Sequence, residues 1–317
     1  MVMKLAVLTL CAASMTAAFS TASAETAKHK ILFFTKSSGF EHSAITWKNG
    51  RPSVAEKVLT ELGDKNGWTF EFSKDGSKFS KDYLAQFDAV FFYTTGDLCS
   101  PGTDGNPPMS KEGKQALFDY VKGGKGFVGT HSASDTFHTD NEAVKGPERY
   151  LNHGDKADDY VRFLGAEFII HGAQQVAKNK VIDPKFPGFE NVGTDFAFQE
   201  EWYSLKDFAP DIHVLTVIDA PSMTGSMYGR PAYPSTWARK EGDGRVFYTA
   251  MGHRDDVWSN PTFQNILVGG VKWALGDLKA DVPPNIKEAA PGAYTNPPYV
   301  AQAPKKPAAP KKEAEKK

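Results

Sequence analysis

Blocks of apolar and polar positions succeed one another along the chain and predict strand and helix by turns. "HKILFFTKS" (29 to 37) is a short apolar run of strand length, and "RPSVAEKVLTELGDKNG" after it repeats Val54, Val58 and Leu62 every fourth residue, as one face of a helix does. "WTFEFSKD" alternates like a half-buried strand, and "SKDYLAQF" predicts a short helical turn. "DAVFFYTTGD" is continuously apolar, the mark of a strand covered on both faces. "SKEGKQALFDYVKGG" predicts a helix with Ser110 as N-cap, Glu112 in its first turn and Gly123 past its end, leading into the strand "KGFVGTHS".

The second half is less regular. "DDYVRFLGAEF" predicts a helix running into a strand that ends at His171, and "QQVAKNKVID", "DIHVLTVID", "STWARK" and "RVFYTAMGH" predict strands, the last two joined as a hairpin by "EGDG". "NPTFQNILVGGVKWALGDL" closes the pattern as an apolar helix capped by Asn260, with Pro261 at its first position. Strands alternating with helices imply parallel βαβ units, hence an α/β fold with a doubly wound, mostly parallel sheet and an added β-rich portion in the second half. In such sheets ligands bind beyond the carboxyl ends of the strands. Polar clusters fall at three of those ends: "TKSSGFEH", "TTGD" and "THSASD".

The termini change the boundaries of the folded unit. Lys4, the apolar run "LAVLTLCAASMTAAF" and the small-residue site "ASA" predict a secretory signal peptide over residues 1–24, and the run is too short and too rich in Ala, Ser and Thr for a membrane anchor. The expectation is an exported protein, periplasmic or extracellular, with no integral membrane segment after cleavage. Residues 281–317, rich in Pro, Ala and Lys, are expected to be a disordered tail, leaving one domain over 28–280. Cleavage would leave Cys99 as the sole cysteine, so the core must hold without an internal disulfide. Residues 25 to 280 carry 29 Lys and Arg against 34 Asp and Glu, a net of −5, which excludes the basic footprint that nucleic acid requires.

Chemistry is concentrated in histidine. His42, His131, His138, His171 and His253 sit at loop or strand-end positions among polar neighbours. A nucleophile elbow needs small residues two before and two after the reactive side chain. Gly129 and Ala133 bracket His131 in that way, not Ser132, so a histidine stands where a Cys or Ser nucleophile would. Two other readings are open. His42, His131, Glu201 and His253 could converge on a divalent metal such as zinc, with His131, His42 and His253 as ligands, although no compact ligand motif is present. Alternatively, "QEEWYSL" sets Glu200 and Glu201 beside Trp202 and Tyr203, where an aromatic wall could tune a carboxylate for acid–base work, or one glutamate could be solvated and the other paired to Arg or Lys. Trp47, Trp202, Tyr203, Trp237, Tyr248 and Trp258 would suit the flat faces of a sugar, but most aromatics in a domain are core.

"ILFFTKSSGFEHSAI", "FFYTTGD", "GGKGFVGTHSASDT", "LGAEFIIH", "EEWYSL" and "GRVFYTAMGHRDDVW…F…LVGGVKWALG" together resemble the ThuA-like, or trehalose-utilisation, family across nearly all of residues 29 to 276. The resemblance implies a flavodoxin-like, class I glutamine amidotransferase-like fold and a role in the use of trehalose or related disaccharides, including keto sugars. It also marks His42, Asp97, His131, Ser132, Asp135, His171, Glu201, Tyr203 and His253 as the family's polar positions; where the family often has Asp-Glu, this chain has Glu200 and Glu201. The expected function is therefore hydrolysis, elimination or isomerisation of a disaccharide, acid–base or metal-assisted, with His131, His253, Glu201 and His42 catalytic. Asp97, Ser132, Asp135, Tyr203 and Trp237 are expected to contact substrate. The alternative is a non-catalytic sugar-binding or accessory protein. Glutamine hydrolysis is not expected, because His131 takes the nucleophile's place.

Overall fold

The computed structural model describes residues 28–140 and 146–301. The expected signal peptide and the last part of the expected tail, 302–317, lie outside the described residues. Eleven strands are described: β1 (His29–Phe34), β2 (Trp68–Ser73), β3 (Ala89–Phe92), β4 (Gly126–Thr130), β5 (Glu167–His171), β6 (Gln175–Val181), β7 (Asp195–Glu200), β8 (Tyr203–Lys206), β9 (His213–Ile218), β10 (Tyr233–Glu241) and β11 (Gly244–Thr249). The helices are α1 (Val54–Asn66), α2 (Lys81–Leu84), α3 (Lys111–Lys122), α4 (Asp159–Leu164), α5 (Asp255–Trp258), α6 (Pro261–Leu275) and α7 (Ile286–Ala289).

Nine strands form one sheet in the order β2-β1-β3-β4-β11-β10-β9-β6-β7. The first five run parallel, and the last four are added antiparallel. β5 and β8 form a separate antiparallel pair. The βαβ alternation of the first half thus yields the expected α/β parallel sheet, and the irregular second half yields the antiparallel extension. Ile31 to Phe34 and Ala89 to Phe92 are fully buried, as continuously apolar runs in a sheet covered on both faces should be.

Local signals explain the helix starts. Ser53 and Glu56 form a reciprocal capping box on α1. The Ser110 side chain accepts the Gly113 N–H at the start of α3. Asn260 accepts from Thr262 and Phe263 ahead of Pro261 in α6.

Two features depart from the expectations. β7 and β8 flank Glu201 and Trp202, strands that the pattern of "QEEWYSL" does not predict. The segment 281–301, expected to be disordered, is packed on the domain. Ile286, Ala290 and Ala293 are buried, the Pro283 carbonyl accepts from His213 at 2.7 Å, and Arg230 donates to the Ala293 carbonyl at 2.6 Å. A few small apolar anchors, inconspicuous among Pro and Lys, suffice to dock this segment because the backbone between them finds hydrogen-bond partners. Among the described residues no helix is long and apolar enough to cross a membrane.

Candidate functional site

β4 ends in a turn that turns its first side chain back over the sheet. His131, the first residue beyond the strand, has φ +45°, a left-handed conformation that costs a non-glycine residue about 1–3 kcal/mol and persists only where surroundings enforce it. The surroundings do so. The Tyr248 hydroxyl donates to the His131 carbonyl at 2.7 Å, and the turn folds so tightly that a Cβ on Gly129 would lie 3.2 Å from the Ala133 Cβ. The small residues on either side of His131 are therefore a packing requirement, as the elbow spacing anticipated.

Three other segments meet His131 at this edge. His42 follows β1, Glu201 follows β7 and His253 follows β11. One donor atom from each of His42, His131, Glu201 and His253 lies within 4.8 Å of all the others. The ring centroids of His42 and His131 are 4.8 Å apart, those of His131 and His253 5.0 Å. His253 Nδ1 is 3.2 Å from His131 Nε2 and 3.0 Å from Glu201 Oε2, and His131 Nε2 is 3.6 Å from that same oxygen. A tetrahedral zinc ion with bonds of about 2.1 Å sets its ligand atoms about 3.4 Å apart, so this triangle already has the edge lengths such an ion needs.

The protonation pattern points the same way. His131 Nδ1 faces the Ala250 carbonyl at 3.3 Å. A carbonyl can only accept, so Nδ1 carries the ring proton and Nε2 presents a lone pair to the cluster. Burial lowers the His131 pKa despite the neighbouring Glu201 carboxylate, and burial followed by the neighbouring imidazoles of His131 and His253 lowers that of His42 further. Both rings are neutral donors of lone pairs near pH 7. Burial alone would raise the Glu201 carboxyl, but the adjoining imidazoles of His131, His253 and His171 overcome it and hold the group well below the usual carboxylate range.

Glu200 adds a second carboxylate. It is fully buried and forms no ion pair among the described residues; its partners are the backbone N–H groups of Gly252 at 2.8 Å, His253 at 3.1 Å and Glu201 at 2.8 Å. The same holds for Glu201, whose ion-pair partners are histidines alone: His131, His171 and His253. Two carboxylates with no lysine or arginine paired to either give the centre the charge and donor set of a site for a divalent cation. A second group of convergent donors, His153, Glu167 and Asp207, differs in this respect. There the buried Lys206 Nζ stands 3.7 Å from Glu167 and supplies the positive charge itself; His138 and Lys206 hold the Glu167 carboxyl down to about 2 against the effect of burial.

The remaining expected site residues divide. The Tyr203 hydroxyl lies 3.3 Å from His42 Nε2, leaving His42 Nδ1 buried without a hydrogen-bond partner. The Ser132 hydroxyl is likewise buried and unpartnered beside His131. Asp135 is engaged by His138 at 2.6 Å. Asp97 caps its own loop through Cys99 N–H and Ser100 Oγ and lines an adjoining polar cavity of about 450 Å³ with Ser38, Lys114, His138 and Asp140. Trp237, expected to contact substrate, is fully buried in central strand β10, its indole N–H donating to the Leu164 carbonyl at 2.8 Å and its ring against Tyr248 at 4.3 Å. It has no face to offer a ligand. Of the six aromatics expected to suit sugar stacking, Trp47 alone is exposed; Phe40, outside that set, is exposed with its ring 5.0 Å from His42. Cys99 is half-buried, its thiol pKa pushed up by burial and the charge of Asp97, which does not favour a nucleophile. His171, half-exposed, brings Nδ1 to 3.3 Å from Glu201 Oε1 and extends the centre toward solvent.

Among solved structures, the chain is similar to a ThuA-like protein from Bacteroides uniformis (18% identity, TM-score 0.57, covering 81% of this chain and 95% of that one). It is also similar to one from Parabacteroides merdae (16% identity, TM-score 0.53, covering 86% and 97%). At such identities the likeness shows the fold alone. No curated protein matches. The model of the family described as "ThuA: Trehalose utilisation" matches residues 30–274, the whole span that builds both sheet and histidine centre, and the chain belongs to that family.

Proposed function

We propose that this protein is a carbohydrate-active enzyme whose His42, His131, Glu201 and His253 hold a divalent metal of the zinc type and act on a disaccharide or its keto derivative by hydrolysis, elimination or isomerisation. The observation that carries the reading is the convergence of three imidazoles and the partly buried Glu201 beside the buried Glu200, with no lysine or arginine paired to either carboxylate. Bound there, the ion would polarise a sugar oxygen as a Lewis acid. The protein's own groups would do the rest. His171, on the solvent side of Glu201, is placed to exchange protons with water, and the unpartnered Ser132 hydroxyl to orient a substrate hydroxyl. Asp97 would do the same from the polar cavity it lines, and Asp135 through its contact with His138.

Within this reading the strand order β2-β1-β3-β4 is that of a flavodoxin-like sheet related to class I glutamine amidotransferases. Glutamine hydrolysis does not come with it, because His131 occupies the elbow. Export through the expected signal peptide would give the centre extracytoplasmic sugar as substrate. The test is metal analysis of the purified protein together with turnover of trehalose, other disaccharides and their keto derivatives. One equivalent of metal, lost in His131→Ala together with turnover, is expected. Variants His131→Ala and His253→Ala that fold and turn over sugar at the wild-type rate would refute the reading, as would saturable sugar binding without product.

A further inference from the structure

Glu200 has no place in a four-donor centre, yet it is fully buried beside it and held by three backbone N–H groups. β7, on which it sits, is the edge strand of the antiparallel extension, four strands removed from β11, which delivers His253. Beyond the strand ends the two segments meet, and one carboxylate joins them. Oε2 accepts the N–H groups of Gly252 at 2.8 Å and His253 at 3.1 Å, and Oε1 accepts the N–H of Glu201 at 2.8 Å. The two N–H groups on Oε2 converge because Gly252 adopts φ +117°, a conformation an L side chain rarely takes, and because a Cβ there would meet Thr130 Oγ1 at 2.9 Å.

We infer that Glu200 is the positioning residue of the centre, a carboxylate clamp that fixes the backbones of Glu201 and His253 so that their side-chain donors stand one ion's width apart. This rests on the metal reading above and deepens it. The backbone N–H of each of these donor-bearing residues is held by Glu200, and its buried charge adds to that of Glu201, which favours a divalent over a monovalent cation. A hydrogen bond to a charged acceptor is roughly twice as strong as one between neutral groups. At this fully buried position, loss of the carboxylate would also leave three backbone donors to find new partners.

Glu200→Gln separates positioning from mere packing. The amide keeps the volume, and its oxygen can still accept from Gly252 and His253, but its NH₂ then faces the N–H of Glu201, donor against donor. The full-length protein would be stripped with a chelator and titrated with zinc against a chromophoric competitor, and in parallel loaded with cobalt(II) to record its visible d–d bands. Expected for E200Q is a cooperative unfolding transition, zinc affinity lower by about 10–100-fold, as for losses of partners that orient metal ligands, and a changed cobalt spectrum. E200Q that binds zinc as the wild type does, with the same cobalt bands, would overturn the clamp while leaving the metal reading intact. Should E200Q fail to fold, Glu200→Asp keeps the charge and loses the reach; it is expected to weaken zinc and alter the cobalt bands, and wild-type behaviour would overturn the clamp. Wild-type protein that takes up neither metal takes down both inferences together.

Discussion

Removing any bound metal and lowering the pH should destabilise this fold early, and the centre sets both the sign and the size of the effect. His42 and His131 are buried with pKa values below that of an unfolded histidine, about 6.5. As pH falls below that value the unfolded chain takes up a proton at each ring before the folded protein does, so acid favours unfolding. The contribution to stability is full above about 6.5 and is lost between there and the lower folded values. The slope is about 1.4 kcal/mol per pH unit for each such group, hence about 2.7 kcal/mol per unit for the pair while both unfolded rings are protonated and both folded ones are not. Other shifted groups do not mask this window. The carboxyls of Glu201 and Glu167 are depressed, so their contribution is present above about 4.3 and is lost only below it. His138 is raised, its burial being overcome by Asp135 and Glu167, so its contribution is full below about 6.5 and is lost at higher pH. Urea unfolding of chelator-treated protein at half-unit steps from pH 7 to 5 should show the midpoint falling through this range. In His42→Gln, which cannot titrate, the slope should be close to halved. Stability that stays level or rises from pH 6.5 to 5.5 would refute the assignment of two neutral buried rings.

Three further outcomes are expected. Gly129→Ala should cost about 1–3 kcal/mol in urea unfolding, because its Cβ would lie 3.1 Å from Leu164 and Tyr248 and 3.2 Å from Ala133; an unchanged midpoint would show that the elbow does not need its glycine. Trp237→Ala should cost about 3–5 kcal/mol as a core truncation while metal stoichiometry stays that of the wild type in the protein that remains folded, and selective loss of sugar binding would restore this residue to the site. Ser53→Ala removes one half of the α1 capping box and should lower stability by about 1 kcal/mol without changing metal content, measured by unfolding and metal analysis side by side.

The fold was legible where one segment's own periodicity decides its structure. Val54, Val58 and Leu62 face the core because their spacing is helical, and "AVFF" is a central strand because nothing polar interrupts it. The four donors were also legible as types, since histidines at strand ends stand out against apolar neighbours. What no window of sequence contains is sign and context. Trp237 and Phe40 are both large aromatics, and only the place of β10 inside the sheet makes one core and leaves the other at the rim beside His42.

Glu200 and Glu201 make the point more sharply. The sequence offered a solvated carboxylate and a salt-bridged one, and neither description fits. The partners of Glu200 are backbone N–H groups, two of them from residues 52 and 53 positions further on, and a backbone N–H has no residue type by which to be recognised. The excess of acidic over basic residues across the whole chain is a single charge, 38 against 37. It is the folding of β7 against the end of β11 that brings two carboxylates together with no lysine or arginine between them, and it does the opposite at Glu167, where Lys206 arrives on β8. The electrostatics of each cluster follow from that difference: one carries its own cation in Lys206, and the other pairs Glu201 with histidines alone.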